Sequence, residues 1–496
     1  MRLRHLLVVA ALAAASTLSA GTAAAHEATW YTTLGARPTS GTTPLDITFS
    51  ASEGTLTAPY SYTYDFGDGT APLVTTSDTV EHVYAEPGQY DPSLTATTAA
   101  GPSAPAHVAD SKIWVGSGYN PVNPVRILDT RAAIGVPGKA PLSGTTVILP
   151  VTGIGQVPAT RVTSVVLNVT VTGGTRAGYL AVEPYNFGNG SSSVNWAAGQ
   201  TLAGQVTVPV HDGKIMITDI SLGSVHVIAD LEGYFSDAHG YFNSVQESQR
   251  ILDTRARIGV PTTTAVPAHG TVTVTVPPTA AQHPAAVILN VTATGSTAPG
   301  VLTAYPAGQP RPAVSHLNWA AGQTVANLMT LAAPDRKITF YNNSSGPVHL
   351  IADYNGYFSP DVTSSFRYGG AQRILDTRNA TGTASTGPIP AKGDINLRFD
   401  FADSMGGRTS NGVLLHITIT QPTASGVLVP YDGYWGDSLL KASLLNWTKG
   451  QTISNTVAVA NTNGGNVRLH LNSSGSAHVV VDVIGYYDLF IPQQID

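Results

Sequence analysis

The chain has 496 residues, of which only 11% are charged, with a formal charge of −6 and no cysteine. Charged residues make up about a quarter of a typical chain. The surface must therefore be built largely from Thr, Ser, Asn, Gln and Gly, and no basic patch of the kind that nucleic acid requires is present. Without cysteine there is no disulfide, no thiolate zinc site, no thiol nucleophile and no lipidated N-terminal Cys, so each domain must stand on its own apolar core.

The first residues read as an export signal. Arg2, Arg4 and His5 make a positive start, Leu6 to Ala15 is a nearly unbroken apolar run, and Ala23-Ala24-Ala25 ends in an A-x-A site before His26. This grammar predicts a cleaved secretory signal peptide over residues 1–25. The apolar run is short for a membrane span of roughly 20 residues, and no later segment is long and apolar enough to cross a bilayer. A secreted, extracellular chain without a membrane span is the expectation. His26-Glu27-Ala28-Thr29-Trp30 lacks the second His of a zinc-protease helix.

Residues 27–115 carry Pro44 to Phe49, then Tyr62-Thr63-Tyr64-Asp65-Phe66-Gly67-Asp68-Gly69, His82-Val83-Tyr84, Pro87-Gly88 and Tyr90. Asp-Phe-Gly-Asp-Gly followed by His-x-Tyr-x-x-Pro-Gly-x-Tyr resembles the PKD domain, which implies a small immunoglobulin-like sandwich serving as spacer or protein-contact module. Tyr64 stands where that family usually has Trp. Pro92 falls where an alternating apolar residue is expected, which predicts an edge or a bulge there. Asp65 and Asp68 sit in a Gly-rich turn. Turn chemistry accounts for them, with Asp accepting backbone N–H bonds. A calcium site is the weaker alternative, because hard cations want six to eight oxygens.

From Tyr119 onward, short Val/Thr/Ile/Leu runs alternate with period two and break at Gly, Pro, Asn or Asp, as in Val162 to Thr172, Leu202 to Val210 and Lys214 to Ser221. His211-Asp212-Gly213 is a hairpin signal between the last two. Internal repetition dominates. Arg-Ile-Leu-Asp-Thr-Arg occurs at Arg126 to Arg131, Arg250 to Arg255 and Arg373 to Arg378. Each copy continues with Val166 to Thr170, Ile288 to Thr292 or Leu414 to Thr418. Next come Asn195-Trp196, Asn318-Trp319 or Asn446-Trp447, each followed by Gly-Gln-Thr. A strand opening at His226, His349 or His478 ends in Gly-Tyr-aromatic. Three tandem domains are implied, over 119–236, 241–358 and 366–488, each with about eight strands and hence a β-sandwich or jelly-roll-like body. These copies resemble uncharacterised modules of secreted proteins from high-GC Gram-positive (actinobacterial-type) bacteria, often found beside PKD or enzyme domains. That resemblance implies extracellular use and names no ligand.

The fold class expected is thus all-β: an immunoglobulin-like PKD sandwich plus three tandem sandwiches. Alternating with core aliphatics, Asp129 and Asp230 are expected to be half buried or more, and a buried carboxylate needs a partner. Structural ion pairs joining first and last strands are therefore expected among Asp129, Arg131 and Asp230; Asp253, Arg255 and Asp353; and Asp376, Arg378 and Asp482, with an Arg of the hexapeptide as a bidentate partner. The competing reading is a polar cleft using Asp129, Arg131, Asn195, Trp196 and His226. Glu232 becomes Asn355 and Ile484 in the other copies, and Asn168 becomes His416, so no paired-carboxylate site belongs to the module. Asn195, Trp196, Asn318, Trp319, Asn446 and Trp447 are the candidate ligand-binding residues, as sugar-stacking platforms whose triplication would add avidity; core packing is the plainer account of the Trp. No Gly-x-Ser-x-Gly elbow or phosphate loop occurs, and no cofactor or metal is called for beyond the weak calcium candidates. The sequence therefore points to a secreted, non-catalytic protein that binds an extracellular glycan or a cell-surface protein. A self-assembling matrix component is the alternative, and an undetected hydrolase is the remote one. The oligomeric state is left open.

Overall fold

The structure, a computed structural model, describes residues 32–489 except 40–44, 54–60, 100, 109–111, 189, 238–239, 278–283, 360–363, 400–408, 432–441 and 461–465. The expected signal peptide and His26 to Trp30 lie outside the described residues. Every regular element within them is a strand.

The first domain is a sandwich. Thr32–Pro38, Asp46–Glu53 and Thr79–Val83 form one sheet, and Leu73–Thr75, Ser61–Asp65 and Ser93–Thr98 lead the other. Phe49, Tyr64 and Tyr84 are fully buried between them. Tyr64 fills the place expected of Trp, its hydroxyl donating to the Asp78 carbonyl at 2.8 Å. The chain breaks at Asp91-Pro92, between strands Gly88–Tyr90 and Ser93–Thr98, as a residue without an N–H requires.

Each repeat then builds the same eight strands. In the first they are Gly118–Asp129, Thr146–Pro150, Val162–Thr172, Gly178–Pro184, Val194–Trp196, Leu202–Pro209, Lys214–Ser221 and His226–Ser236. They form two four-stranded sheets, ordered first-eighth-third-sixth and second-seventh-fourth-fifth. That arrangement is a jelly roll. The Asp-Gly signal makes the tight turn joining sixth and seventh strands, with φ 50° at Asp212 and 72° at Gly213. Positive φ at both central positions matches the twist of the strands it joins.

The two sheets differ in their faces. Second strands such as Thr271–Thr275 and Asp394–Arg398 alternate exposed and covered residues, so one face meets water. Third strands do not alternate; Ala286–Thr294 is buried at every position but the last. A strand buried on both faces must lie between two packed layers. Here the second layer is the other repeats.

The three inner sheets close around a shared apolar hub of Tyr119, Phe235, Phe242, Phe358, Phe366 and Tyr487, with Val166, Ile288 and Leu414 beside them. Each copy contributes one aromatic from its first strand and one from its last. Their contacts run in a cycle: Tyr119 on Phe358 at 4.7 Å, Phe242 on Tyr487 at 3.9 Å, and Phe366 on Phe235 at 4.4 Å between centroids. Backbone bonds follow the same cycle, from Tyr119 N to Gly240 O and from Phe366 N to Ser117 O, with Phe242 paired to Ser364. The glycine of each Gly-Tyr-aromatic triplet makes this possible. A Cβ on Gly356 would stand 2.6 Å from the Phe242 ring, and one on Gly485 would stand 2.5 Å from the ring of Phe366.

Because the hub is common property, its loss should be felt by all three copies. Gly356→Ala, which drives a methyl into the Phe242 ring, is expected to cost about 1–3 kcal/mol. Chemical denaturation should still show the three repeats unfolding in one transition; three separated transitions would contradict a shared core.

Candidate functional site

The hexapeptide lies at the join of first and last strands, and its residues have separate tasks. Arg126 reaches across to Asp230 with Nε–Oδ1 at 2.8 Å and Nη2–Oδ2 at 3.2 Å. Arg131 folds back instead on its own turn, with Nε and Nη2 on the two oxygens of Asp129 at 2.9 and 2.8 Å. The same pairs recur as Arg250–Asp353 with Arg255–Asp253, and as Arg373–Asp482 with Arg378–Asp376. The strand-to-strand partner is therefore the first Arg of the motif; Arg131, Arg255 and Arg378 serve the turn. Burial pushes the Asp230 carboxyl up while the bond and charge of Arg126 pull it back. The hydrogen bond from Arg131 holds Asp129 below the usual carboxylate range. Between these pairs, Thr130 accepts the Val227 N–H and meets His226 Nδ1 at 2.9 Å. This pattern repeats at Thr254–His349 and Thr377–His478.

The tryptophans correct an expectation. Trp196, Trp319 and Trp447 are 2%, 3% and 3% exposed. Each indole N–H donates to a backbone carbonyl, of Arg176, Ala298 and Ala424 respectively. Each ring lies against a glycine of the neighbouring strand, Gly178, Gly300 or Gly426, where a Cβ would come within 2.9 Å of it. They are core residues and not exposed stacking platforms. Asn195 and Asn318 are likewise buried, Asn446 only partly. Asn195 donates to Ser454 Oγ of the third repeat at 3.0 Å. The amide nitrogens of Asn318 and Asn446 have no partner among the described residues.

The turn after each Trp is better placed for contact. In every copy the Gly takes φ near 73–76°, and the Gln carbonyl accepts the first N–H of the turn at 2.9 Å, at Ala197, Ala320 and Thr448. The Thr hydroxyls bond to the third strand, as Thr201 does to Thr172 at 2.7 Å. The three turns converge on one mouth of about 710 Å³, lined by Ala197 to Thr201, Trp319 to Gln323 and Thr448 to Gln451. Lys449 is the one charged residue in that lining. Strand Val162–Thr172 runs from the hub end, where Val162 faces Ser236, to the mouth end, where Thr172 faces His226. The PKD domain joins at Gly118, also opposite Ser236. Mouth and PKD domain are thus at opposite ends.

Between the copies lie buried amide locks. Asn168 donates to Ser315 O of the second repeat and accepts from Asn327 at 3.0 Å. Asn290 repeats this with Ser443 and Asn455 of the third. The remaining junction lacks the lock: His416 replaces Asn, and register places Gly204 where Asn327 and Asn455 stand. The exchange of Asn168 for His416 is visible in the sequence, whereas its pairing with Gly204 is revealed by strand register alone. At the first junction Glu232 and His316 face each other in a cavity of about 500 Å³, Oε1 and Nε2 being 3.3 Å apart but poorly aligned for a hydrogen bond. Burial raises Glu232 to about 8 and lowers His316 to about 4, so both are neutral at pH 7.

In the PKD turn, Asp65 Oδ1 accepts Gly67 N, and Asp68 accepts from Thr70 N, Thr70 Oγ1 and His82 Nε2. Both carboxylates are engaged in the turn, as turn chemistry requires, and among the described residues no group of three metal-ligating side chains accompanies the calcium candidates Asp65 and Asp68.

By fold, then, this is an all-β multidomain protein, a sandwich joined to three jelly rolls closed on one another. Residues 32–113 match the PKD domain family. No curated protein matches the chain. Among solved structures it is similar to a carbohydrate-binding module of the β-sandwich superfamily, at 14% identity over 42% of this chain and 93% of that one, with a TM-score of 0.16. It is also similar to a Sulfolobus turreted icosahedral virus structure at 8% identity over 75% and 91%, TM-score 0.15. A triple jelly-roll protein of an archaeal virus matches at 8% over 74% and 90%, TM-score 0.14. Scores of this size carry no argument about function.

Two outcomes are expected from the geometry. Arg126→Ala leaves Asp230 buried without its partner and should cost about 3 kcal/mol, the low end for a broken buried pair because Arg126 is partly wetted. Denaturant titration against Arg131→Ala, which frees only a turn, should show the smaller loss in the latter. Glu232, protonated in the fold and ionised when unfolded above about 4.5, destabilises the protein as pH rises towards 8. His316 acts in the opposite sense from about 4 to 6.5, so Glu232 dominates this pair between 6.5 and 8. Stability measured across that window should fall by up to about 1.4 kcal/mol per unit and be flattened by Glu232→Gln.

Proposed function

We propose that the chain is an exported, non-catalytic binding protein whose three-lobed head presents the axial mouth to an extracellular glycan, with the PKD domain as the spacer behind it. The convergence of three copies of one turn on a single mouth, remote from the PKD junction, is the observation that carries this reading. Apart from Lys449, its lining of backbone groups, Gln, Thr and small side chains is uncharged, which suits a polar uncharged polymer. The conspicuous carboxylates of the repeats, Asp129 and Asp230 with their counterparts, are held by arginines. A scaffold role explains them without a reaction. The leader-like first residues support export.

The test is retention of the full chain on cell wall, chitin and cellulose. Ala198, Ala321 and Lys449 are exposed counterparts at the turn tips. The triple variant Ala198→Asp, Ala321→Asp, Lys449→Asp should fold normally and lose retention at least tenfold. Retention unchanged by the triple variant would refute the mouth as the site. Concentration-dependent oligomers with no retention on any glycan would favour a self-assembling matrix component instead.

A further inference from the structure

The cleft between the first and second repeats carries charge that the fold does not balance. It encloses about 320 Å³, near the lower bound of ordinary ligand sites, and takes one wall from each copy. The first repeat supplies Arg126 and Arg131 of the hexapeptide, with Thr172 and Thr201; the second supplies Arg311, Ser315 and Asn343. Three arginines line it and no carboxylate does. In a chain of formal charge −6 such a lining needs a reason.

Two of the three are neutralised from behind. Arg126 and Arg131 pair with Asp230 and Asp129, whose carboxylates are buried and form no part of the lining. Arg131 spends Nε and Nη2 on that pair, while its Nη1 has no hydrogen-bond partner among the described residues. The side chain is half exposed. Arg311 differs. It is exposed, packs over the Tyr341 ring with Cζ 3.9 Å from the centroid, and makes no ion pair or hydrogen bond among the described residues. Ring packing restrains a guanidinium without consuming its N–H groups. Three guanidiniums thus face two carboxylates, and one negative charge is missing. The hexapeptide arginines recur in every copy, but Arg311 does not: the loop Tyr185 to Ser193, which enters the third-to-first junction in its place, carries no cation.

The rest of the lining is polar and uncharged, with small apolar patches at Ile228, Val301 and Pro312. Thr172 and Thr201 share one bond at 2.7 Å, which leaves one of their hydroxyl hydrogens free. The side chains of Ser315 and Asn343 bond to nothing among the described residues. Guanidiniums take a carboxylate through paired N–H···O bonds, and hydroxyls with an amide suit a polyol beside it. One missing charge matches a carboxylate better than a phosphate monoester, which brings nearly two at pH 7.

We propose that this cleft binds one hexuronate unit, its carboxylate between Arg131 and Arg311 and its hydroxyls against Thr201, Ser315 and Asn343. Thr201 also lines the axial mouth, so the cleft opens beside it, yet the site does not depend on the uncharged polymer proposed there.

The full chain should be titrated by calorimetry at low ionic strength with glucuronate, galacturonate and a galacturonate oligomer. Methyl β-glucoside supplies the ring without the charge, acetate the charge without the ring, and inorganic sulfate a different anion. At least one free uronate should bind saturably, at least tenfold tighter than each of these three, and more weakly as salt is added. Binding by the oligomer and by neither free uronate would overturn a site for one unit. Arg311→Gln should weaken uronate binding at least tenfold with Tm unchanged, because that side chain is exposed and outside the structural pairs. Ala313→Glu, at an exposed lining position that leaves all three arginines in place, should do the same. Both variants should keep their retention on chitin or cellulose, so failure of the cleft and failure of the mouth are read separately. No saturable uronate binding, methyl β-glucoside or sulfate binding as tightly as uronate, or equal binding by the native chain and Arg311→Gln would overturn the proposal.

Discussion

The burial of six aromatic rings in one hub sets the terms for everything else in the three repeats. A jelly roll standing alone would expose the outer face of its inner sheet to water, and that face would then alternate with the core face. Here the face is covered by two other copies, so Val166, Ile288 and Leu414 are as buried as the core residues next to them in sequence. Each aromatic touches a ring from the neighbouring copy in a closed cycle, so no copy can leave without exposing rings of both others. Burial of this kind stabilises in proportion to the apolar area withdrawn from water. Triplication in one chain removes the association entropy that three free subunits would lose.

That packing explains where the polar residues of the module went. Moving along the third strand from the hub, the neighbour-facing positions change from Val166 to Asn168 and Thr170, all buried. A buried amide must be satisfied, and here the partners come from two copies: Asn327 and Asn455 each donate to a carbonyl of their own copy, His316 O and Leu444 O, and to the Asn of the preceding one. Apolar contact holds the ring together, and these directional bonds fix its register. The Arg–Asp pairs stand further out, where an arginine can keep part of its guanidinium in water while closing the seam between first and last strands.

Much of this architecture was legible in the sequence, and the reasons for the gaps are physical. Period-two runs, the Asp-Gly turn and the repeated landmarks led to eight-stranded copies, and the PKD signature led to a sandwich over residues 27–115, of which 32–113 match the PKD domain family. The need for an arginine partner at Asp230 followed from burial alone. Which arginine answers did not, because Arg126 and Arg131 sit on opposite faces only in an ideal strand, and the chain turns at Thr130. The Trp were open to two readings because a Trp beside Asn and Gln looks the same in sequence whether its ring faces water or a glycine across the sheet. The position of Gly178, Gly300 and Gly426 opposite those rings decides it, and cross-strand register is not written in one strand. The third strands read as period-two runs because Asn168, Thr170, Asn290 and Thr292 alternate with aliphatics, yet these polar positions are buried too, against the neighbouring copy. Whether the copies are beads or one closed body was left open by the sequence; burial on both faces decides it for the closed body.

A ring of three copies has three junctions, and only two need identical locks for register to be fixed. The third is then free to change, provided its two sides change together. A lone Asn-to-His exchange would drive an imidazole into the partner's Asn, and a lone Asn-to-Gly exchange would strand a buried amide without a partner. Together, His416 and Gly204 do neither. The hub, which is indifferent to both, keeps the lobes in place. Identical locks at two junctions thus suffice for the register that all three share, and the remaining junction is held by the hub and by the bond from Thr456 to the Gln205 carbonyl.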